Sequence, residues 1–190
     1  MSGGATRREA LRRGAAAAAV LAAGAPLVAG ARAALAQAET DADIVESLIG
    51  LEEAAALAYR TAAASGIAGP RHTRTLWRFA RHEQQHAEAL LTVLEALGGR
   101  APRPPRTVAD VDRILPGLGD ARTPEAVLEY ALGLESAEVA AYHDAHARLA
   151  EPKLLPTTAS IMAAQGQHLV VLRAALSQPL VQRAFETGER

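Results

Sequence analysis

Cysteine is absent from the 190-residue chain, and aromatic residues make up only 3% of it. Without cysteine, a disulfide framework, a thiolate zinc site, a haem c attachment and a cysteine nucleophile are all excluded. An excess of one charge is also lacking, because 20 basic and 21 acidic residues give a net charge of −1. We therefore expect no nucleic-acid partner. Alanine supplies nearly a quarter of the residues, which favours an all-α protein.

The first 38 residues have the order of an export signal. A basic segment with Arg7 and Arg8 precedes an uncharged stretch over residues 14–31, and small residues at alternate positions follow up to Ala38. Basic, apolar and small-x-small segments in this order are typical of a signal peptide. The paired arginines resemble the twin-arginine signal, which implies export of the folded protein by the twin-arginine translocation machinery.

Two fates of this leader are open. Cleavage after Ala38 would leave residues 39–190 as the mature domain, in the periplasm, at the envelope or outside the cell. Retention would make residues 14–31 a membrane anchor, since 18 uncharged residues reach the lower limit for a span. The composition favours cleavage, because alanine and glycine gain little free energy on transfer into lipid.

Beyond the leader, the spacing of apolar residues is helical and is punctuated by start and stop signals. A first helix is predicted over residues 40–66 and a second over residues 69–98. A capping box predicts a short helix within residues 107–116. A third long helix is predicted over residues 123–150, and a fourth starts at 157 or 158 and ends before Pro179. The last ten residues are polar and are predicted to be loose.

The lengths of the connections predict how these helices pack. Short connections make the first and second helices antiparallel, and likewise the third and fourth. The connection from Gly98 to Thr123 has 26 residues, and Pro102, Pro104 and Pro105 within it prevent a long helix. It is long enough to run the length of a bundle, so the second and third helices can be parallel. The prediction is a four-helix bundle with one long crossover.

The two halves of the predicted bundle carry related motifs. The first and third helices share the pattern L-E-x6-Y, at residues 51–59 and 134–142. The second and fourth share Q-H-x3-L-x3-L, at residues 85–94 and 167–176. The offsets between the copies are 83 and 82 residues, so the pattern predicts an internal repeat.

Acidic residues and histidines recur on the faces that these motifs define. Glu83 and His86 are three residues apart, so they lie about one turn apart on one helix face. If the motif faces meet in the bundle, they bring together Glu52, Glu83, His86, Glu135, Glu138 and His168. Clustered carboxylates in a helical core would lose their charge unless a cation were bound. Carboxylate and imidazole ligands without thiolate suit iron, manganese or zinc.

The combination of repeat, ligand spacing, tyrosines and crossover resembles the ferritin-like di-iron carboxylate superfamily, over residues 41–178, and in particular its exported members with a twin-arginine signal. The resemblance implies an iron centre, dinuclear or mononuclear, with manganese as the alternative. The metal ligands that it implies are Glu52, Glu83, His86, Glu135 and His168. Tyr59 and Tyr142 are then expected to hydrogen-bond to ligands or pass electrons, with simple core packing as the alternative.

Gln165 departs from this family pattern, which has glutamate at that position. The Gln165 amide can bind a metal through its carbonyl oxygen, but it cannot bridge two metals as an anion. The matched ligand set therefore holds three carboxylates. Glu138 lies one turn from Glu135, at a place where rubrerythrin-like proteins carry an additional glutamate. We hypothesise that Glu138 restores the fourth negative charge.

The remaining histidines and aromatic residues have simpler interpretations. His82 directly precedes Glu83, so it is predicted to point away from the ligand face and to lie at the surface, as are His72 and His143. His146 is assigned a surface or capping role. Glu53 is predicted to be solvated, and Trp77 and Phe79 are predicted to be core or interface residues.

Three functions are compatible with these patterns. The first is iron handling or redox chemistry with oxygen or peroxide, of the ferroxidase or peroxidase-like kind. The second is a non-catalytic bundle with a degenerate metal site, serving as a binding or structural module of the envelope. The third is an iron-storage cage, which would require a homo-oligomer. The sequence assigns no catalytic residue.

Overall fold

The computed structural model describes residues 39–188, and all regular structure within that range is helical. The predicted leader, residues 1–38, lies outside the described residues. Between residues 39 and 188 the five helices are α1 (Asp41–Ser65), α2 (Gly69–Ala96), α3 (Val108–Asp112), α4 (Pro124–Arg148) and α5 (Leu155–Ala175). Short 3-10 turns lie at Leu118–Asp120 and Pro152–Leu154. The predicted all-α class is confirmed, and α5 begins at Leu155 rather than at the expected residue 157 or 158.

The helices begin and end where their terminal residues satisfy the backbone. The Thr40 hydroxyl accepts a hydrogen bond from the N–H of Asp43, and the Asp43 carboxylate accepts one from the N–H of Thr40. This reciprocal pair is a capping box. Gly66 ends α1 with a φ of 68°, a left-handed conformation that costs glycine little. Thr123 caps α4 directly before Pro124, so the end of α1 and the start of α4 are both set by local sequence.

Side-chain contacts show the direction of α2 relative to α1. The ring of Tyr59 lies 5.5 Å from that of Phe79, centre to centre. Seven residues earlier on α1, Glu52 contacts His86, which lies seven residues later on α2. Residue numbers thus increase along α1 as they decrease along α2. The two helices are antiparallel, as predicted from their short connection.

The contacts of α1 with α4 determine the path of the crossover. Tyr59 hydrogen-bonds to Glu135, and Glu52 hydrogen-bonds to Tyr142, so α1 and α4 are also antiparallel. Both α2 and α4 therefore run opposite to α1 and parallel to each other. The connection between them spans the length of the bundle and packs Val111 of α3 into the core on the way. The result is the predicted four-helix bundle with one long crossover.

The bundle interior has two apolar clusters with a polar layer between them. One cluster includes Leu76 and Leu128, and the other includes Ile44 and Leu90. On each of the four long helices, buried polar residues fall between the segments that contribute to the two clusters. These residues are Glu52, Glu83, Glu135, Glu138, Gln165 and His168. The fold thus surrounds a set of charged groups with apolar packing above and below.

The C-terminal segment packs against the bundle, contrary to the expectation of a loose tail. Arg173 on α5 is largely buried, and its guanidinium lies 2.9 Å from the Glu186 carboxylate. Gly188 approaches α4 so closely that a Cβ there would lie 2.2 Å from the Ser136 carbonyl oxygen. A buried arginine requires an anionic partner, and the tail provides one.

Within residues 39–188, none of the helices is both long and apolar enough to span a membrane.

Candidate metal centre

Carboxylate and imidazole side chains from all four long helices meet in the polar layer. Glu52, Glu83 and His86 form one group, and Glu83, Glu135 and His168 form a second. Within each group, one ligand atom from each residue lies within 4.8 Å of the others. Glu83 belongs to both groups. Two overlapping groups of this kind could hold two cations side by side, with the Glu83 carboxylate shared between them.

Each oxygen of Glu83 faces one of the two histidines. Its Oε2 lies 2.8 Å from Nδ1 of His86, and its Oε1 lies 3.2 Å from Nδ1 of His168. The same Nδ1 atoms also contact the outer carboxylates, at 3.3 Å for His86 with Glu52 and at 3.0 Å for His168 with Glu135. Both histidines therefore direct Nδ1 towards the centre of the polar layer.

Two buried tyrosines connect to the outer carboxylates from opposite helices. Tyr59 on α1 donates a hydrogen bond to Glu135 on α4, and Tyr142 on α4 donates one to Glu52 on α1. Both rings are also packed in the core, so hydrogen bonding and core packing occur together, and electron transfer through the tyrosines stays a prediction. The hydroxyl groups restrict how the two carboxylates can turn.

Gln165 and Glu138 complete the polar layer in different ways. The Gln165 amide nitrogen donates to Glu83 Oε2 at 3.1 Å and to Glu52 Oε1 at 3.5 Å, so this side chain faces the carboxylates. Glu138 is fully buried, and neither of its oxygens has a hydrogen-bond partner. It lies close enough for the charges of Glu83, Glu52 and Glu135 to affect its pKa, but it is outside both ligand groups.

Burial favours the protonated form of three of these carboxylic acids. It raises the pKa of Glu52 to about 8 and that of Glu135 to about 7, and in both cases the negative charge of Glu83 adds to the effect. Burial also raises the pKa of Glu138 well above its usual value. Without a cation, protons therefore compensate much of the acidic charge.

Glu83 and the two histidines behave in the opposite way. Burial disfavours the Glu83 carboxylate, but hydrogen bonds from His168 and His86 outweigh it and lower the pKa of Glu83. Burial alone would lower the histidine pKa values as well. Hydrogen bonds to the carboxylates instead raise the pKa of His86 to about 10 and that of His168 to about 9. Without a metal, these shifts favour an ionised Glu83 between two protonated histidines.

The donor set fits a transition metal. Buried oxygens without a hydrogen-bond partner include Oε2 of Glu135, both oxygens of Glu138 and Oε1 of Gln165. Unpartnered buried oxygens are costly, and coordination to a cation would satisfy them. Carboxylate oxygens with two imidazole nitrogens suit iron, manganese or zinc. The residues of this chain can therefore hold such an ion.

His82 lies beside this centre, and its assignment to the surface is wrong. It is half-buried, and its Nδ1 is 2.8 Å from Nε2 of His168. His82 does point away from the face of α2 that carries Glu83. However, α5 packs against the side of α2 that carries His82, and this places His168 next to His82. One signal was present in the sequence, since His82 lies three residues after Phe79, which is itself buried and stacked on His168.

Neither ligand group includes the remaining residues considered in the sequence analysis, which are His143, His146, Glu53, Trp77 and Phe79. His146 contacts the Thr158 hydroxyl at 2.9 Å and links α4 to α5, and His143 is exposed. Glu53 is half-buried rather than solvated, and burial raises its pKa. Phe79 is buried in the core, whereas Trp77 is 40% exposed, so for Trp77 the interface alternative stays a prediction.

Comparison with known families bears directly on this arrangement. The sequence model of the ferritin-like domain matches residues 40–178. This range spans more than half of the chain and includes the four long helices and every residue of the two ligand groups. Comparison with curated proteins finds no match. Because the family match covers most of the chain and the whole helical bundle, the chain belongs to the ferritin-like domain family.

Proposed function

We propose that this protein is an exported ferritin-like metalloprotein that binds iron, with manganese as the alternative, for iron handling or for redox chemistry with oxygen or peroxide. The ligands in this proposal are Glu52, Glu83, His86, Glu135 and His168. The observation that supports it best is the sharing of Glu83 between two groups of ligand atoms. A pair of divalent cations would balance carboxylates that otherwise retain protons in an apolar environment.

The surrounding residues would support the metal in distinct ways. Bound iron or manganese would supply one-electron chemistry that amino acid side chains lack. Tyr59 and Tyr142 hold the outer carboxylates in place through their hydroxyl groups. The two apolar clusters pack on either side of the ligand layer along the bundle. Glu138 would contribute the fourth negative charge, and rotation of the Gln165 amide would turn its oxygen towards the cations.

The proposed export pathway agrees with such a site. A twin-arginine leader would carry the protein across the membrane after folding. The cytoplasm could then select and insert the metal before export. Cleavage after Ala38 would release residues 39–190 to the periplasm, the envelope or the exterior.

Metal content tests the proposal directly. The full chain is purified without chelator, analysed for metals, and titrated anaerobically with Fe(II). We expect about two metal ions per chain for a dinuclear centre, with binding weakened in Glu83→Gln. The exposed Glu95 on α2 provides the matched control, since Glu95→Gln changes the same chemical group away from the centre. Failure of the unsubstituted protein to bind Fe(II) would overturn the proposal.

One observation favours a second candidate, a non-catalytic bundle that acts as a binding or structural module. The Gln165 amide donates to both Glu83 and Glu52, and this hydrogen bonding needs no metal. Together with protonated carboxylic acids, it gives the polar layer a stable form without a cation. Purified protein that neither contains nor binds a metal would support this candidate.

A further inference from the structure

A hydrogen bond between His82 and His168 extends the polar layer outwards from the centre. The two rings lie within 18° of parallel, and Nδ1 of His82 is 2.8 Å from Nε2 of His168. Phe79 stacks on the face of the His168 ring, with the ring centres 3.9 Å apart. Within residues 39–188, His82 is the hydrogen-bond partner of His168 Nε2. These two contacts hold the ring together with those of its Nδ1 to Glu83 and Glu135.

The orientation of His168 determines which of its nitrogens carries hydrogen when a metal is bound. Its Nδ1 faces Glu83 and Glu135, so Nδ1 is the atom available to a metal. A nitrogen that binds a metal carries no hydrogen, and a neutral imidazole carries one hydrogen in total. The hydrogen of metal-bound His168 is therefore on Nε2, where it is donated to Nδ1 of His82.

We propose that His82 is a positioning residue that accepts this hydrogen bond and keeps Nδ1 of His168 directed into the centre. The proposal rests on the metal-binding function proposed above. Phe79 restricts the plane of the His168 ring. The hydrogen bond to His82 disfavours a 180° flip of the ring about its Cβ–Cγ bond, which would direct Nδ1 away from the centre. Hydrogen-bonded partners of this kind orient metal-binding histidines and tune their affinity.

The effect of His82 is expected on one ligand group only. The hydrogen bonds of His86 within the described residues all run through Nδ1, to Glu52 and Glu83. In the part of the chain that the structure describes, His86 thus has no counterpart of His82 on its Nε2 side. Loss of His82 should weaken the group that contains Glu135 and His168, and it should leave the group that contains Glu52 and His86 unchanged.

Cobalt(II) binding to the full chain tests this inference through affinity and visible absorption. His168→Ala first identifies the binding step that depends on His168. His82→Ala should weaken that same step about 10–100-fold and alter its Co(II) absorption bands. His82→Asn should retain most of the affinity, because its side-chain oxygen can take the position of Nδ1 and accept the hydrogen bond. His143→Ala, which removes an exposed histidine, should match the unsubstituted protein.

Each other outcome separates the two proposals. Unchanged Co(II) affinity and absorption in His82→Ala, with normal binding by the unsubstituted protein, would overturn the positioning role alone. Equal weakening in His82→Ala and His82→Asn would also overturn it, since ring packing rather than the acceptor atom would then be responsible. Absence of Co(II) and Fe(II) binding by the unsubstituted protein would overturn both proposals. Thermal unfolding of the metal-free variants checks that each one folds.

Discussion

Tyr59 donates its hydroxyl hydrogen to Oε1 of Glu135 over 2.5 Å, joining α1 to α4 inside the bundle. Tyr142 makes the reciprocal bond to Oε1 of Glu52, also at 2.5 Å. In each pair the second carboxylate oxygen is left for another role. Oε2 of Glu135 has no hydrogen-bond partner, and Oε2 of Glu52 faces His86. Each tyrosine thus fixes one oxygen of an outer carboxylate and leaves the other oxygen free of the tyrosine.

Removal of a tyrosine hydroxyl should weaken metal binding. Tyr59→Phe keeps the ring in the core but frees Glu135 to turn, so we expect about tenfold lower affinity for Fe(II). Loss of the buried hydrogen bond should also lower the free energy of unfolding by about 1–3 kcal/mol. Anaerobic titration and denaturant unfolding measure the two effects.

Tyr130→Phe is the matched control for this prediction. Its hydroxyl donates to the Leu115 carbonyl oxygen at 3.0 Å, in the crossover region. This variant should lose stability while its Fe(II) affinity stays unchanged. If Tyr59→Phe bound Fe(II) as tightly as Tyr130→Phe and the unsubstituted protein, Tyr59 would have no role in orienting Glu135.

Removal of the charge of Glu138 should reduce metal stoichiometry. Glu138→Gln keeps the shape of a side chain that is fully buried without a hydrogen-bond partner. If Glu138 supplies the fourth negative charge, this variant should bind one metal ion fewer per chain. Elemental analysis after anaerobic loading measures the ratio, and an unchanged ratio would show that Glu138 is not required for the second ion.

Addition of a carboxylate at Gln165 should have the opposite effect. Gln165→Glu restores the acidic residue of the family pattern and places it against Glu83 and Glu52. The added negative charge should tighten binding of the second cation. Without metal, it should lower stability at alkaline pH through repulsion between carboxylates. Calorimetric titration would contradict this prediction if the variant bound iron more weakly than the unsubstituted protein.

The stability of the metal-free protein should fall as the pH rises. The pKa values of Glu52 and Glu135, about 8 and about 7, exceed their usual value of 4.5. Those of His86 and His168, about 10 and about 9, exceed their usual value of 6.5. The folded state therefore binds more protons than the unfolded state above about pH 4.5, and stability decreases with pH through this range. The pKa of Glu83 is instead lowered, and its effect on stability falls below about pH 4.5.

Metal affinity should change with pH in the opposite direction. A metal ion displaces protons from the same residues, so apparent affinity should rise about tenfold per pH unit for each proton released. Unfolding of the metal-free protein at about pH 6 and about pH 9, together with proton release on Fe(II) addition, measures both trends. Constant stability and affinity across this range would show that the buried acids are not protonated in the metal-free protein.

Much of the helical architecture follows from local sequence. The Thr40 capping box, the left-handed Gly66 and the start of α4 at Pro124 depend on residues within one turn of each other. Hydrogen bonds at helix ends are local, so short motifs suffice to predict them. The spacing of Glu83 and His86 likewise places both on one face of α2 before any tertiary contact is known. The export leader lies outside residues 39–188 and stays a prediction.

Other features arise only when the helices pack. His82 contacts His168 because α5 lies on its flank of α2, and the spacing within α2 contains no information about that neighbour. The two tyrosine–glutamate bonds join residues 76 and 90 positions apart. The C-terminal tail contacts α5 through the ion pair of Glu186 with Arg173. Local sequence therefore determined the helices and the faces that carry the acidic residues and histidines. Packing decided which of those faces meet, because the rotation of each helix depends on contacts between residues far apart in the chain.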